Sequence, residues 1–97
     1  METTIYIVAT ENCYRMGLEP KVQLWEPESI SRTWIRRLTV ELPDGFEVCE
    51  NYYGEPIISR NKEGYDLATN KDGNPVIIDH TANGKYIPLN VVSEGWG

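Results

Sequence analysis

Residues 38–48 read LTVELPDGFEV, and this stretch decides the fold class. Apolar and polar residues alternate on both sides of Pro43-Asp44-Gly45, a pattern that predicts a β-hairpin. With a three-residue loop and Gly45 in the left-handed conformation, Leu42 faces Phe46 and one side of the hairpin is apolar along its length. A slip of one residue would turn every side chain to the opposite face, so the pattern predicts this register alone.

The same design continues from the hairpin to the end of the chain. Glycines nine to eleven residues apart separate short runs that are rich in β-branched and aromatic residues; these glycines are Gly45, Gly54, Gly64, Gly73 and Gly84. Turn signals at such intervals are typical of an antiparallel all-β domain. The predicted strands cover residues 4–10, 21–26, 33–42, 46–53, 56–59, 65–69, 75–80 and a last segment ending near residue 89.

Three connections carry more specific expectations. The polar segment 70–74 predicts a hairpin turn, with a loop of four or five residues. Asn83-Gly84 predicts a two-residue hairpin that places His80 opposite Ile87. Pro27 and the residues up to position 32 form the only predicted helix, whereas residues 11–20 are predicted to be a loop.

Length and pattern together predict one domain over residues 1–97. We expect a mainly β protein, either a small antiparallel barrel or a compact sandwich of six to eight short strands, with one short helix. The apolar fraction is 40% and the charged fraction is 25%, as in ordinary globular proteins. We recognise no resemblance to a known family.

The charge balance narrows the classes of partner. Fifteen acidic and nine basic residues give a net charge of −6. Phosphate contacts require cations, so this balance disfavours nonspecific binding to nucleic acid or to an anionic membrane. It favours a basic protein surface as the partner, or solubility alone.

Cysteine usage and the amino-terminal residues bear on location. The first residues show neither a basic segment nor a long apolar run, so no signal peptide and no membrane span are predicted. Cys13 and Cys49 are therefore expected to be reduced thiols in a cytoplasmic protein, with a single disulfide between them as the less favoured alternative.

No motif for catalysis, a metal or a cofactor is visible. Segment 70–74 resembles part of a calcium loop, but the twelfth position is Thr81, which has no carboxylate. His80 is the sole histidine and is expected to be partly buried rather than catalytic. Asp66 and Asp79 could form the carboxylate pair of a glycoside hydrolase only if the loop between their two strands had four residues. The protein is therefore predicted not to be an enzyme and to bind no cofactor.

The candidate binding site is the acidic hairpin. Between residues 38 and 59 there are five acidic residues and no basic one, namely Glu41, Asp44, Glu47, Glu50 and Glu55. Glu41 and Glu47 are expected to oppose each other, which costs up to about 1 kcal/mol unless a partner supplies cations. Tyr53, Trp25 and Trp96 are the predicted aromatic contacts, because such residues anchor interfaces. An ordinary solvated face is the alternative interpretation.

These features predict a non-enzymatic, acidic protein-binding module. An inhibitor that occupies the nucleic-acid-binding surface of a partner would fit these features. This interpretation rests on analogy with small phage-encoded anti-defence proteins, and it predicts a viral origin. One alternative is a β-barrel that binds single-stranded nucleic acid through Trp34 and the neighbouring Arg32, Arg36 and Arg37. A small hydrolase is the second alternative. The identity of the partner, and whether the chain forms a homo-oligomer, stay open.

Overall fold

The computed structural model describes residues 1–28, 32–61, 63–80 and 83–96. In chain order, the elements of this part are β1 (Glu2–Thr10), α1 (Glu11–Met16), β2 (Lys21–Gln23), β3 (Thr33–Glu41), β4 (Glu47–Glu50), β5 (Pro56–Arg60), β6 (Glu63–Thr69), β7 (Pro75–Asp79), β8 (Lys85–Pro88) and β9 (Asn90–Trp96).

The strands form two antiparallel sheets. The first has the order β2-β1-β3-β9, and the second has the order β4-β5-β6-β7-β8. The prediction of a mainly β, antiparallel fold is confirmed. Neither sheet closes into a barrel within the described residues, and two sheets that share one core are compatible with a sandwich.

The core receives alternate side chains from both sheets. The first sheet contributes Ile5, Ile7, Leu38 and Val40, the second contributes Ile58 and Ile77, and the connections contribute Leu42, Phe46 and Leu89. Removing one such side chain from water stabilises the folded state by about 1.5–3 kcal/mol. The alternation that predicted strands therefore also predicts which residues are buried.

The predicted hairpin at residues 38–48 is wrong as a pairing. β3 lies between β1 and β9, whereas β5 is the one strand of the described part that is hydrogen-bonded to β4. The segment Pro43–Gly45 is therefore a corner between the two sheets. Gly45 does have the expected positive φ of 89°, and the Phe46 N–H donates to the Pro43 carbonyl at 3.1 Å. A corner buries Leu42 and Phe46 as a hairpin would, so the alternation could not distinguish the two. β1 pairs with β3 along nine residues and occupies one of the two edges of β3.

The turn at residues 70–74 is confirmed, with five residues in the loop. Thr69 lies opposite Pro75, and Asp66 lies opposite Ile78. Asp66 therefore does not face Asp79, because that approach required a loop of four residues.

The register predicted for the last hairpin is wrong. Asp79 pairs with Lys85, so His80 lies in the connection rather than opposite Ile87. Asn83 and Gly84 have the positive φ values, 57° and 72°, that their turn was expected to need. The connection is longer than two residues, and its residues 81–82 lie outside the described part.

Two further segments differ from expectation. Residues 11–20 were predicted to be a loop, but α1 begins directly after Thr10 and ends at Gly17, which has a φ of 66°. The Thr10 N–H donates to Cys13 Sγ at 3.4 Å, so a cysteine at the third helical position takes the place of the usual acid. The predicted helix at 27–32 includes residues 29–31, which are not described, and Pro27 and Glu28 are not helical. Residues 90–96, which carried no strand prediction, form β9.

Candidate functional site

Four of the predicted carboxylates follow one edge of the second sheet. Glu47 and Glu50 are exposed on the outermost strand β4, Asp44 is exposed in the corner before it, and Glu55 is exposed in the turn after it. None of the four forms an ion pair with another described residue. We call this surface, with the turn that follows, the β4 edge; it comprises Asp44, Glu47, Glu50 and residues 51–55.

Glu41 does not belong to this edge. It lies on β3, in the other sheet, and its Oε1 accepts a hydrogen bond from the Met1 ammonium group at 2.9 Å. This bond raises the pKa of the ammonium group above its ordinary value. The expected opposition of Glu41 and Glu47 is wrong, because it depended on a β3–β4 hairpin that does not form.

The turn after β4 exposes two aromatic rings that pack edge to face. Tyr52 and Tyr53 are 96% and 81% exposed, and their ring centroids lie 5.6 Å apart at an interplanar angle of 89°. Asn51 holds the turn, because its Oδ1 accepts hydrogen bonds from the N–H groups of Tyr53 at 2.9 Å and Glu55 at 3.0 Å. Gly54 supplies the positive φ of 78°. Two large rings are thus presented to solvent on a hydrogen-bonded scaffold.

Tyr53 was predicted from the sequence and Tyr52 was missed. Continued to residue 52, the hairpin register predicted for residues 38–48 would place Tyr52 on the core face, opposite Arg36. That expectation is wrong, since Tyr52 is exposed at the tip of a turn in the other sheet. The sequence signal that could have identified the turn is a repeat, Asn-x-x-Gly-x-Pro, which occurs at residues 51–56 and again at 70–75.

The second copy of this motif forms the same turn. Asn70 Oδ1 accepts hydrogen bonds from the N–H groups of Asp72 at 2.9 Å and Asn74 at 3.0 Å, and the Gly73 N–H donates to the Asn70 carbonyl at 2.9 Å. Its tip carries Lys71 and Asp72 where the first copy carries two tyrosines. No group of three or more potential metal ligands is found among the described residues.

The two predicted tryptophans are not part of the turn at residues 51–55. Trp25 is partly exposed, with Lys21 Nζ 5.5 Å from its ring centroid, and lines a groove together with Pro56 and Ile57. This groove begins where the turn at residues 51–55 leads into β5. The backbone of Trp96 pairs with Arg36 in the first sheet, and the Trp96 side chain lies outside the described part.

Trp34, the aromatic residue of the nucleic-acid alternative, is exposed beside Tyr14. The two ring centroids are 5.3 Å apart at an interplanar angle of 87°. The neighbouring guanidinium of Arg36 is engaged within the protein: Nε donates to Glu94 Oε1 at 2.7 Å, and Nη1 donates to the Gly73 carbonyl at 3.1 Å. This cation therefore already has a carboxylate partner.

The other two arginines of that cluster diverge. Arg32 Nη1 lies 3.0 Å from Glu11 Oε2, so this cation is also paired. Arg37 is exposed and, as the neighbour of Arg36 on an extended strand, points to the opposite face of β3. The three arginines thus do not form one continuous cationic surface next to Trp34.

His80 is exposed, so the expectation of partial burial is wrong. Its Nε2 lies 2.8 Å from Asp66 Oδ2, and both side chains are mostly in solvent. Asp79 is buried instead and lies 3.3 Å from Arg60 Nη2. Within the described residues, no hydroxyl or thiol is hydrogen-bonded to His80.

Comparisons with known proteins add no functional assignment. No family model matches the sequence, and no curated protein or solved structure matches the chain. No helix in the described ranges is long and apolar enough to cross a membrane. The surfaces themselves are therefore the basis for a functional proposal.

Proposed function

We propose that this protein is a non-enzymatic binding module that engages a basic surface of another protein through the β4 edge. The observation that carries the proposal is the turn at residues 51–55, where Tyr52 and Tyr53 are almost fully exposed. Tyrosine is enriched among the residues that dominate binding energy at interfaces, because it brings a large rigid ring and a hydroxyl at low entropic cost. The hydrogen bonds of Asn51 reduce that cost further, because the turn is ordered before it binds.

The charges of the β4 edge specify the chemistry of the partner. Asp44, Glu47, Glu50 and Glu55 supply four exposed carboxylates without ion-pair partners among the described residues. Such charges accelerate association with a cationic surface and disfavour anionic partners, more than they raise affinity itself. Lysine and arginine can also pack on the exposed tyrosine rings through cation–π contacts.

An inhibitor of a nucleic-acid-binding protein is the specific form of this function that we favour. Carboxylates along an extended edge can occupy the lysines and arginines that otherwise contact phosphates. Small acidic phage proteins that block host defence systems offer the analogy in size and charge. In this form of the proposal, the partner cannot bind the β4 edge and nucleic acid at the same time.

Quantitative affinity capture with matched variants tests the proposal. We expect the wild-type chain to retain a basic protein, and Tyr52→Ser combined with Tyr53→Ser to reduce its recovery at least tenfold. Glu47→Lys combined with Glu50→Lys should have the same effect, because two lysines beside Asp44 and Glu55 change the net charge of the edge from −4 to zero. The matched control is Lys71→Ser combined with Asp72→Ser, which alters the tip of the equivalent turn.

The readout is mass-spectrometric quantification of each captured protein relative to the control variant. Added single-stranded DNA should release the partner if the edge occupies a nucleic-acid-binding surface. If every captured protein is recovered equally with the tyrosine variant, the charge-reversal variant and the control, the β4 edge is not the binding surface and the proposal fails.

A further inference from the structure

The row of β3 side chains that faces the core extends beyond the core itself. Trp34, Arg36, Leu38 and Val40 alternate along the strand and therefore share one face. Leu38 and Val40 are completely buried, but Trp34 is 47% exposed. The second sheet thus covers one end of this face and leaves the other end open, with a tryptophan in a position that burial would stabilise.

The open end is a cleft of about 400 Å³. β1 and β3 lie on one side, and the turn at residues 70–74 lies on the other. The apolar and aromatic residues that line it are Ile7, Ala9, Tyr14, Leu18, Pro20 and Trp34. A mostly apolar cleft of this size with a few polar groups is typical of a small-molecule site.

The polar side of the cleft is held in place by the core strand. Arg36 Nη1 donates to the Gly73 carbonyl at 3.1 Å, and Asn70 Oδ1 accepts two N–H groups of its own turn. At the tip, Lys71 lines the cleft and forms no ion pair with a described residue. The carboxylate residue Glu19 also lines the cleft. A cation on a fixed turn beside aromatic rings suits a ligand that is both planar and anionic.

We propose that this cleft binds a ligand group that combines a planar aromatic ring with an anionic group. The ring packs against Trp34, where it gains stacking and covers exposed apolar surface. The anionic group lies next to Lys71. A free nucleotide, one nucleotide of a single strand, and an aromatic carboxylate share this chemistry. The site is independent of the β4 edge, so either proposal can fail without the other.

Paired ligands that differ only in charge test the proposal. Adenosine 5′-monophosphate and indole-3-acetate are the anionic probes, and adenosine and indole are their neutral counterparts. Binding is followed by amide and indole N–H chemical shifts in NMR titrations. We expect each anionic probe to bind at least fivefold more tightly than its neutral counterpart, with the largest shifts at Trp34, Tyr14 and residues 70–73.

Charge variants at the cleft should change the affinity for the anionic probes in opposite directions. Lys71→Met should abolish the difference between anionic and neutral probes, and it changes an exposed turn residue, so the fold is retained. Glu19→Gln should tighten the anionic probes, because it removes a repulsive charge. Trp34→Leu should weaken all probes, and Tyr53→Ser, on the other turn, should change none of them.

A short single-stranded oligonucleotide distinguishes the sources of the ligand. Tighter binding than the mononucleotide, with a steep salt dependence, identifies a nucleic-acid strand as the ligand, whereas equal binding identifies a free small molecule. The proposal is overturned if no probe shows saturable shifts at Trp34 up to about 1 mM, a concentration at which even weak specific sites fill. It is also overturned if Lys71→Met leaves the preference for anionic probes intact.

Discussion

Arg60 shows how single side chains connect strands that are distant in sequence. Its guanidinium carbon lies 4.6 Å from the ring centroid of Phe46 and 5.2 Å from that of Tyr65. Arg60 Nη2 donates to the Tyr65 hydroxyl at 3.2 Å and to Asp79 Oδ2 at 3.3 Å. The hydrogen bond to Tyr65 raises the pKa of Arg60. Arginine is charged at neutral pH in any case, so a cation lies beside the buried carboxylate.

We expect Arg60→Met to lower the free energy of unfolding, because Asp79 loses a cationic partner and two rings lose a stacked cation. The loss should be smaller than for a fully buried pair, since about a third of the Arg60 side chain is in solvent. Arg60→Lys should recover part of the loss through its charge. Urea denaturation at neutral pH measures both variants, and equal stability of Arg60→Met and wild type would contradict the assignment.

At this scale the sequence predicted burial better than contacts. The alternation placed Leu38, Val40 and Phe46 on the core side, and all three are buried. The contacts of Arg60 were not predictable in the same way, because its partners lie on three different segments. Their proximity depends on which strands pair, and alternation does not contain that information.

The two Asn-x-x-Gly-x-Pro turns are the same element used twice. In both, the asparagine side chain accepts two backbone N–H groups, and glycine has a positive φ, 78° at Gly54 and 81° at Gly73. In both, proline begins the next strand, at Pro56 and Pro75. The residues between asparagine and glycine are therefore free to differ, and they carry the side chains that we assign to binding.

We expect Asn51→Ala and Asn70→Ala to destabilise the protein by similar amounts, about 1–2 kcal/mol each, because each removes one side-chain acceptor from two backbone donors. Thermal unfolding measures this loss. The functional effects should separate: Asn51→Ala weakens capture of the basic partner, and Asn70→Ala weakens binding of anionic aromatic probes. If each variant impairs both activities equally, the turns do not act as independent scaffolds.

Element boundaries were predictable where turn chemistry is explicit. Polar residues and glycine identified the turn at 70–74, whereas the pairing of residues 38–48 was not predictable. A corner between facing sheets and a hairpin within one sheet bury the same alternate residues. Which of the two forms depends on which distant strands pair with β3, and alternation does not contain that information. α1 was missed because the third helical position of its capping box is Cys13 rather than the usual glutamate or glutamine.

On the scale of the whole molecule, the two candidate sites have different origins: the β4 edge is the outermost strand of the second sheet, and the cleft lies where the second sheet leaves one end of β3 open. Composition predicted the carboxylates of the β4 edge, because they are concentrated in one part of the sequence. The cleft beside Trp34 was not predictable from composition, since it exists only where the first sheet extends past the second.

The two cysteines were expected to be reduced, and Cys13 and Cys49 are both free thiols.

Among the described strands, the outer edge of β4 is unpaired, which has a consequence for behaviour at high concentration. An outermost strand offers N–H and C=O groups to a second copy of the chain, and like charges on Glu47 and Glu50 oppose such pairing. Glu47→Gln combined with Glu50→Gln removes these charges and the repulsion between copies. We expect this variant to form filaments or larger oligomers, detected by light scattering while circular dichroism confirms retained β structure. Glu47→Lys combined with Glu50→Lys should stay monomeric, because both positions keep a like charge, and equal scattering from the two variants would show that these side chains do not keep neighbouring molecules apart.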